Sequence, residues 1–429
     1  MITSETMTLG MDTNYKFIIV TGCSYCIWNE ILTIHQPHNT KLWETYFDEK
    51  FDIDDNIVFI GTGLSSSGCK WQHDSSTYVV QTLLDNGVPS ENIFCLVQWS
   101  EIMRETITDD SLVNGNKELF NEIEFLPYLH EQRITVINKD NKTVEDVTES
   151  NLNSLDSKLL SIIKSIKLSQ GRWESIGNID GTLYITPSQL DLSNSKKQNL
   201  FRWWSEGLRY DYMIPTKRLV NAYLDTIISN QNFMKLNNIN YRYTFINSQF
   251  SNWIIDDDGL PKLRGGRQLV HKVKNINNDP IVQEKNNEFV LKLYDSIHFE
   301  NDIEKVYPSL KWKFSQLDLT NFYMLTDSKF RRGGLDELAM SLFNEYVFLD
   351  VHNKESQDLP AYGNHIPSIF YGNLWKEVTS NVSFLKFKDK FLENVKKCYF
   401  EDFNSSDNSI HNVTFSKKQI NKKNYLQWI

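Results

Sequence analysis

Three short stretches of this chain carry side chains able to do chemistry at a carbonyl. In Thr21-Gly22-Cys23-Ser24-Tyr25 a serine stands just past a glycine at the end of an apolar run. A serine on such a turn exposes its hydroxyl, and the N–H groups after it can face an oxyanion, which is the geometry of acyl transfer. The same position equally suits a serine that caps the next helix. Gly61-Thr62-Gly63-Leu64-Ser65-Ser66-Ser67-Gly68-Cys69-Lys70-Trp71 is rich in small residues that let backbone approach a ligand. One of its N–H groups can complete an oxyanion hole, or the stretch can be a plain connecting loop. No Gly-Lys-Ser/Thr follows, so it is not a phosphate loop of the Walker type. Near the C-terminus, Asn364-His365-Ile366-Pro367-Ser368 offers His365 as a general base on a turn that Pro367 would fix. A single histidine is more often a surface or core residue.

Other residue sets compete for attention. Cys23-x-x-Cys26 after an apolar run has the placement of a thioredoxin-type redox pair, but no proline-led strand follows at close range. Two buried thiols are the simpler reading. Metal binding through Cys23, Cys26, Cys69 and Cys95 has one paired motif in its favour and no more. Trp203, Trp204 and Trp253 would suit a sugar-stacking face, though buried core is the usual place for tryptophan.

The elements that must position these residues are legible in outline. Tyr15 to Thr21, Asn56 to Ile60 and Asn92 to Gln98 read as buried strands, with a helix from Trp71 to Leu84 stopped at Asp85-Asn86-Gly87. Strand, helix and strand at this spacing form a βαβ unit and predict an α/β fold with a mostly parallel sheet. From Ser100 to Leu200 the pattern weakens, and one helix (Lys158 to Ile166) among irregular loops is expected. After Pro215, Leu219, Tyr223 and Ile227 with Val220, Leu224 and Ile228 make a helical stripe, and Tyr241 to Ile246 reads as a further strand. Ile254 to Asn287 reads as polar loops. Gly334 to Asn344 and Pro367 to Thr379 read as helices, and Tyr346 to Leu349 as a strand. The division this predicts is a tail (1–14), a first core segment (15–100), an insertion (101–200), a second core segment (201–380) and a C-terminal extension (381–429). The extension ends in Tyr425-Leu426-Gln427-Trp428-Ile429, apolar enough to dock on a protein partner.

The chain has 429 residues, 40% hydrophobic and 23% charged, which excludes collagen-like, coiled-coil and wholly disordered classes. Its formal charge of −10 argues against a general nucleic-acid binder. No apolar run reaches the length of a membrane span or a signal core, and five cysteines are sparse and odd in number. A cytoplasmic protein with reduced thiols and no membrane partner is the expectation.

Together the three blocks resemble those of the SGNH hydrolases, also called GDSL-type esterases. The family's Gly-Asp-Ser block after the first strand is similar to Gly22-Cys23-Ser24. Its oxyanion glycine after the second strand is best matched by Gly68, and its terminal His-Pro-Ser block by His365-Ile366-Pro367-Ser368. The resemblance covers roughly a third of the chain. It implies a three-layer, flavodoxin-like sandwich with large insertions, no cofactor, and ester hydrolysis by Ser24 and His365. The substrate class it implies is a small-molecule or carbohydrate ester, an O-acetylated sugar in particular. Two blocks depart from the family. The third block's Gly-x-Asn-Asp is replaced by Val97-Gln98-Trp99-Ser100-Glu101 with Arg104 beyond, so Ser100 or Gln98 would have to stand in as oxyanion donor. This Trp-Ser-x-x-x-Arg form is similar to one in divergent members encoded by large phages and marine viruses, which would place the protein in host cytoplasm or a virion. The orienting aspartate should stand where Tyr362 is; Asp358 is the nearest upstream carboxylate. The alternative is a degenerate SGNH-fold structural or binding protein, such as a component of a viral particle.

Overall fold

The computed structural model describes residues 15–23, 51–53, 55–64, 67–102, 104, 106, 108, 125–127, 134–139, 144–171, 176–186, 216–245, 249–251, 253–255, 261–263, 302–323 and 385–387. The expected helices and strand between Gly334 and Thr379, and the C-terminal extension apart from Leu385–Phe387, lie outside them.

Three strands rich in β-branched and aromatic residues, β1 (Tyr15–Thr21), β3 (Asn56–Gly61) and β4 (Ile93–Trp99), pair in parallel, with β1 central. From Phe17 to Thr21 and from Ile93 to Trp99 every residue is buried, whichever way its side chain points. Continuous apolar runs of this kind belong to parallel strands buried on both faces. A fourth parallel strand, β11 (Asn240–Phe245), pairs with β4, setting Tyr243 beside Val97 and Phe245 beside Trp99. Two antiparallel strands, β6 (Ile134–Ile137) and β7 (Val144–Asp146), extend the other edge, so the six-stranded order is β11-β4-β1-β3-β6-β7. The fold is therefore α/β with a mostly parallel central sheet, as the strand and helix spacing predicts.

Helix α1 (Cys69–Asp85) joins β3 to β4 and packs against β1 and β4; α3 (Thr216–Leu236) leads into β11 and packs beside α1. Both helices stop the same way. Gly87, at φ +77°, lets its N–H reach Leu84 and the Val88 N–H reach Leu83, while Asn238, at φ +55°, does the same toward Lys235 and Met234. Each is a left-handed C-terminal cap with two backbone bonds. The buried stripe of α3 runs through Val220, Tyr223, Leu224, Ile227 and Met234, on the face that its sequence spacing predicts.

The stretch 101–200 holds more regular structure than expected. Besides β6 and β7 it carries α2 (Ser157–Ser165), capped by Asp156, and strands β5 (Phe125–Pro127), β8 (Leu168–Gly171), β9 (Ile176–Ile179) and β10 (Thr182–Ile185). The central sheet thus draws strands from both sides of residue 100. The last four strands form an antiparallel sheet, β10-β9-β8-β5. The turn between β9 and β10 is Asp180-Gly181, both at positive φ, the dipeptide that two-residue hairpins favour. Trp253–Ile255 (β12) and Pro261–Leu263 (β13) pair as a hairpin inside the stretch read as polar loops, and Phe51–Ile53 (β2) pairs with Leu385–Phe387 (β14). These strands are three residues each, too short to show a period. Two short helices, α4 (Ile303–Val306) and α5 (Lys311–Phe314), precede a turn whose Tyr323 N–H bonds Tyr243 and covers the β11 edge.

Candidate functional site

Chain order and sheet order part company between β1 and β4. From β1 the chain steps to β3 on one side, then crosses to β4 on the other and continues to β11. Such a reversal leaves a crevice outside the carboxyl ends of the two strands that flank it, where open α/β sheets bind ligands. Gly22 and Cys23 follow β1 at that point, and Ser100 follows β4. Ser24, His365 and Asp358 lie outside the described residues, as do Cys26, Trp203 and Trp204.

Three loops meet at this edge, and one side chain of α1 joins two of them directly. Gln72 is fully buried; its Oε1 accepts the Ser100 N–H at 3.0 Å and its amide Nε2 donates to Ser100 Oγ. The same Nε2 lies 3.4 Å from both the carbonyl and the hydroxyl oxygen of Ser67. Ser67 in turn donates its hydroxyl to the Gly22 carbonyl at 3.2 Å, which also accepts the Leu64 N–H. The loops after β1, β3 and β4 are thereby held in one network. Because Ser100 Oγ accepts from Gln72, its own hydroxyl hydrogen points elsewhere, and it has no acceptor among the described residues. The Ser100 carbonyl accepts the Tyr223 hydroxyl at 2.9 Å, which ties the β4 loop to α3. Gln98 is buried and engaged in other contacts.

Gly68 sits where only glycine fits. A Cβ there would run into the Arg104 carbonyl oxygen and come within 2.8 Å of Thr106 Oγ1. Its N–H, expected from the sequence to serve an oxyanion, donates to Thr106 Oγ1 at 2.8 Å, and Thr106 bonds Thr186 at 2.9 Å. The residue after β10 thus braces the loop before α1. The antiparallel sheet packs on the same loop, because Gly177 leaves space for the Trp71 ring and Leu64. Tyr184 makes an edge contact with Trp71 and donates its hydroxyl to Asp74 at 2.8 Å, beside Lys70.

A second polar layer lies just beneath. Ser75 Oγ bridges Thr21 Oγ1 at 3.0 Å and Thr62 Oγ1 at 3.1 Å. Asn230 of α3 donates to Ser76 Oγ at 2.9 Å, lies 3.2 Å from His73 Nδ1 and accepts the Tyr243 hydroxyl at 2.7 Å. Burial pushes the His73 imidazole below its ordinary range, with the Asp74 carboxylate opposing in part.

The thiols behave as packing groups. Burial pushes Cys69 up to about 11 and Cys95 higher, so neither is a thiolate at neutral pH; Cys23 is buried too. Among the described residues no group of His, Cys, Asp or Glu is arranged to hold a metal ion. Trp253, a candidate sugar platform, is core: it donates to the Gln249 carbonyl and meets Tyr307 edge-on. Sequence reasoning missed Gln72, Ser67 and Thr106. The available signal was Gln72, Ser75 and Ser76 standing on the stripe that continues as Val79, Val80 and Leu83, polar residues on a face due for burial.

The class these features define is an α/β protein with a polar, tightly bonded network at the carboxyl edge of its parallel strands. Comparison with family models, with curated proteins and with solved structures finds no match. Among the described residues no helix is long and apolar enough to cross a membrane.

Proposed function

We propose that the chain is a divergent SGNH-type serine esterase, built as a three-layer flavodoxin-like sandwich. One observation carries this reading. The residues just before Ser24 and the residue Ser100 flank the point where the strand order reverses, with their loops linked through Ser67 and Gln72. Burial of both faces of β1 and β4 supports the sandwich.

In the proposed mechanism Ser24 Oγ bonds to the carbonyl carbon of an ester while His365 takes its proton, with Asp358 orienting the imidazole. The carbonyl electron pair moves to oxygen, which the Ser24 N–H and the Ser100 hydroxyl stabilise. Gly68 N–H is committed to Thr106, so Ser100 carries the weight that an asparagine carries in the family. Collapse breaks the bond to the alcohol, which leaves with the proton from His365. Water then adds by the same route and frees the acid. An O-acetylated carbohydrate is the proposed substrate.

The second reading, a degenerate SGNH-fold binding or structural protein, is favoured by one observation: the N–H groups of Gly68 and Ser100 are both bonded inward. Labelling with a fluorophosphonate probe separates the two. Labelling that disappears in Ser24→Ala and in His365→Ala supports the esterase. A folded wild type that takes no label leaves the binding protein.

A further inference from the structure

The backbone just past β4 is held by side chains from three other parts of the fold. The Ser100 N–H donates to Gln72 of α1 at 3.0 Å, and the Ser100 carbonyl accepts the Tyr223 hydroxyl of α3 at 2.9 Å. The Ile102 N–H donates at 2.9 Å to Oε1 of Gln249, in the loop after β11. All three holders are buried. The loop after β3 closes differently, by bonds that do not depend on side-chain type. There the Thr62 N–H reaches the Val20 carbonyl, the Leu64 N–H reaches Gly22, and the Ser67 N–H reaches Leu64. Where Ser100 lies is therefore decided by where α1, α3 and the β11 loop sit.

The two holders beyond α1 are themselves fixed at their roots. The Gln249 carbonyl accepts the Trp253 indole N–H at 3.0 Å, and the next carbonyl, of Phe250, accepts the Ile303 N–H at 2.7 Å. The Phe250 ring meets Phe245 and Phe314 edge-on. Tyr223 stands on the buried stripe of α3, and burial holds its hydroxyl well above its ordinary pKa, so it remains a donor. A side chain already immobilised by packing gives up little further freedom in making its bond. Supports of this kind hold a reacting group to a fraction of an ångström. Gln72 reaches the Ser100 hydroxyl itself, whereas Tyr223 and Gln249 bond the backbone at and beyond it.

We propose that Tyr223 and Gln249 are positioning residues for the Ser100 hydroxyl, acting through the Ser100 carbonyl and the Ile102 N–H. The inference rests on the esterase reading above and deepens it. The oxyanion donor is set from α3 and from the β11 loop as well as from α1.

The test is the rate of fluorophosphonate labelling of the full chain over a range of probe concentrations, with urea midpoints measured on the same samples. Tyr223→Phe removes only the hydroxyl. Gln249→Met keeps the length and loses the acceptor, while Gln249→Glu keeps an oxygen for the Ile102 N–H. We expect the saturating rate per folded molecule to fall about tenfold or more in Tyr223→Phe and Gln249→Met. The half-saturating concentration should stay within about twofold, and Gln249→Glu should recover most of the rate. A merely structural role would lower the urea midpoints and leave the saturating rate of the folded protein at its wild-type value, which overturns the proposal. Equal loss in Gln249→Met and Gln249→Glu also counts against it. If the Gln249 variants do not fold, Tyr223→Phe decides. A folded wild type that takes no label ends the esterase reading and the positioning roles with it. A labelled wild type whose variants label at the same rate sinks the positioning roles alone.

Discussion

Helix α1 buries one face along its whole length, yet its two halves bury different chemistry. Toward the C-terminus the buried residues are Val79, Val80 and Leu83, in one apolar core with Val88 and Ile93. Toward the N-terminus they are Trp71, Gln72, Ser75 and Ser76, each hydrogen-bonded to another part of the chain. The sheet beneath follows the same gradient, from Phe17 and Val58 at one end to Thr21, Thr62 and Ser100 at the other. An apolar half stabilises through area removed from water and tolerates adjustment. A polar half holds positions, because each buried donor or acceptor left unpaired costs about 1–3 kcal/mol. The difference marks which end of the sheet is built to hold groups in place.

That contrast can be broken in a graded way. Leu83→Ala, in the apolar half, should cost about 2–5 kcal/mol in urea unfolding and leave probe labelling unchanged. Gly68→Ala forces a Cβ against the Arg104 backbone and should cost about 1–3 kcal/mol in urea unfolding. Gln72→Ala should cost only about 1–2 kcal/mol, yet reduce the labelling rate of Ser24 by roughly a hundredfold, because Ser100 loses the group that orients its hydroxyl. Equal labelling in Leu83→Ala and Gln72→Ala would erase the distinction between the halves. Gly87→Ala, which puts a Cβ at a left-handed position, should cost about 1 kcal/mol with no effect on the crevice.

The smallest effect is one of pH. The folded chain holds His73 below its ordinary range, so the unfolded state takes up the proton first. Its contribution to stability is complete above about pH 6.5 and is lost as pH falls through the unfolded and then the lowered folded value. Urea midpoints of wild type and His73→Gln should converge toward acid pH. A constant gap between them would mean that His73 titrates alike in the folded and unfolded states.

The strands β1, β3 and β4 and the helices α1 and α3 were legible because each buries a stripe or a run that its own residues declare. The hairpin at Asp180-Gly181 lay in the stretch read as irregular loops, because strands of four residues show too little of a period, although its turn dipeptide suits positive φ. The edge strand β6 was hidden, because four residues show too little of any period to separate strand from loop. Ser100 and Gly68 stood out by their places after strands, while Gln72 did not. A glutamine in a helix says nothing about its partner until the helix is docked.

By itself, then, the chain's order of residues determined the types of the long core elements, the stop of α1 and the end of the sheet where small and polar residues gather. These depend on local backbone preference and on spacing within one element. The tertiary structure alone decided that the strand order reverses between β1 and β4, that Gly68 turns its N–H inward to Thr106, and that the Arg104 carbonyl closes against Gly68. Each is a contact between segments far apart in the chain, set by how the sheet orders its strands and by which backbone closes against which.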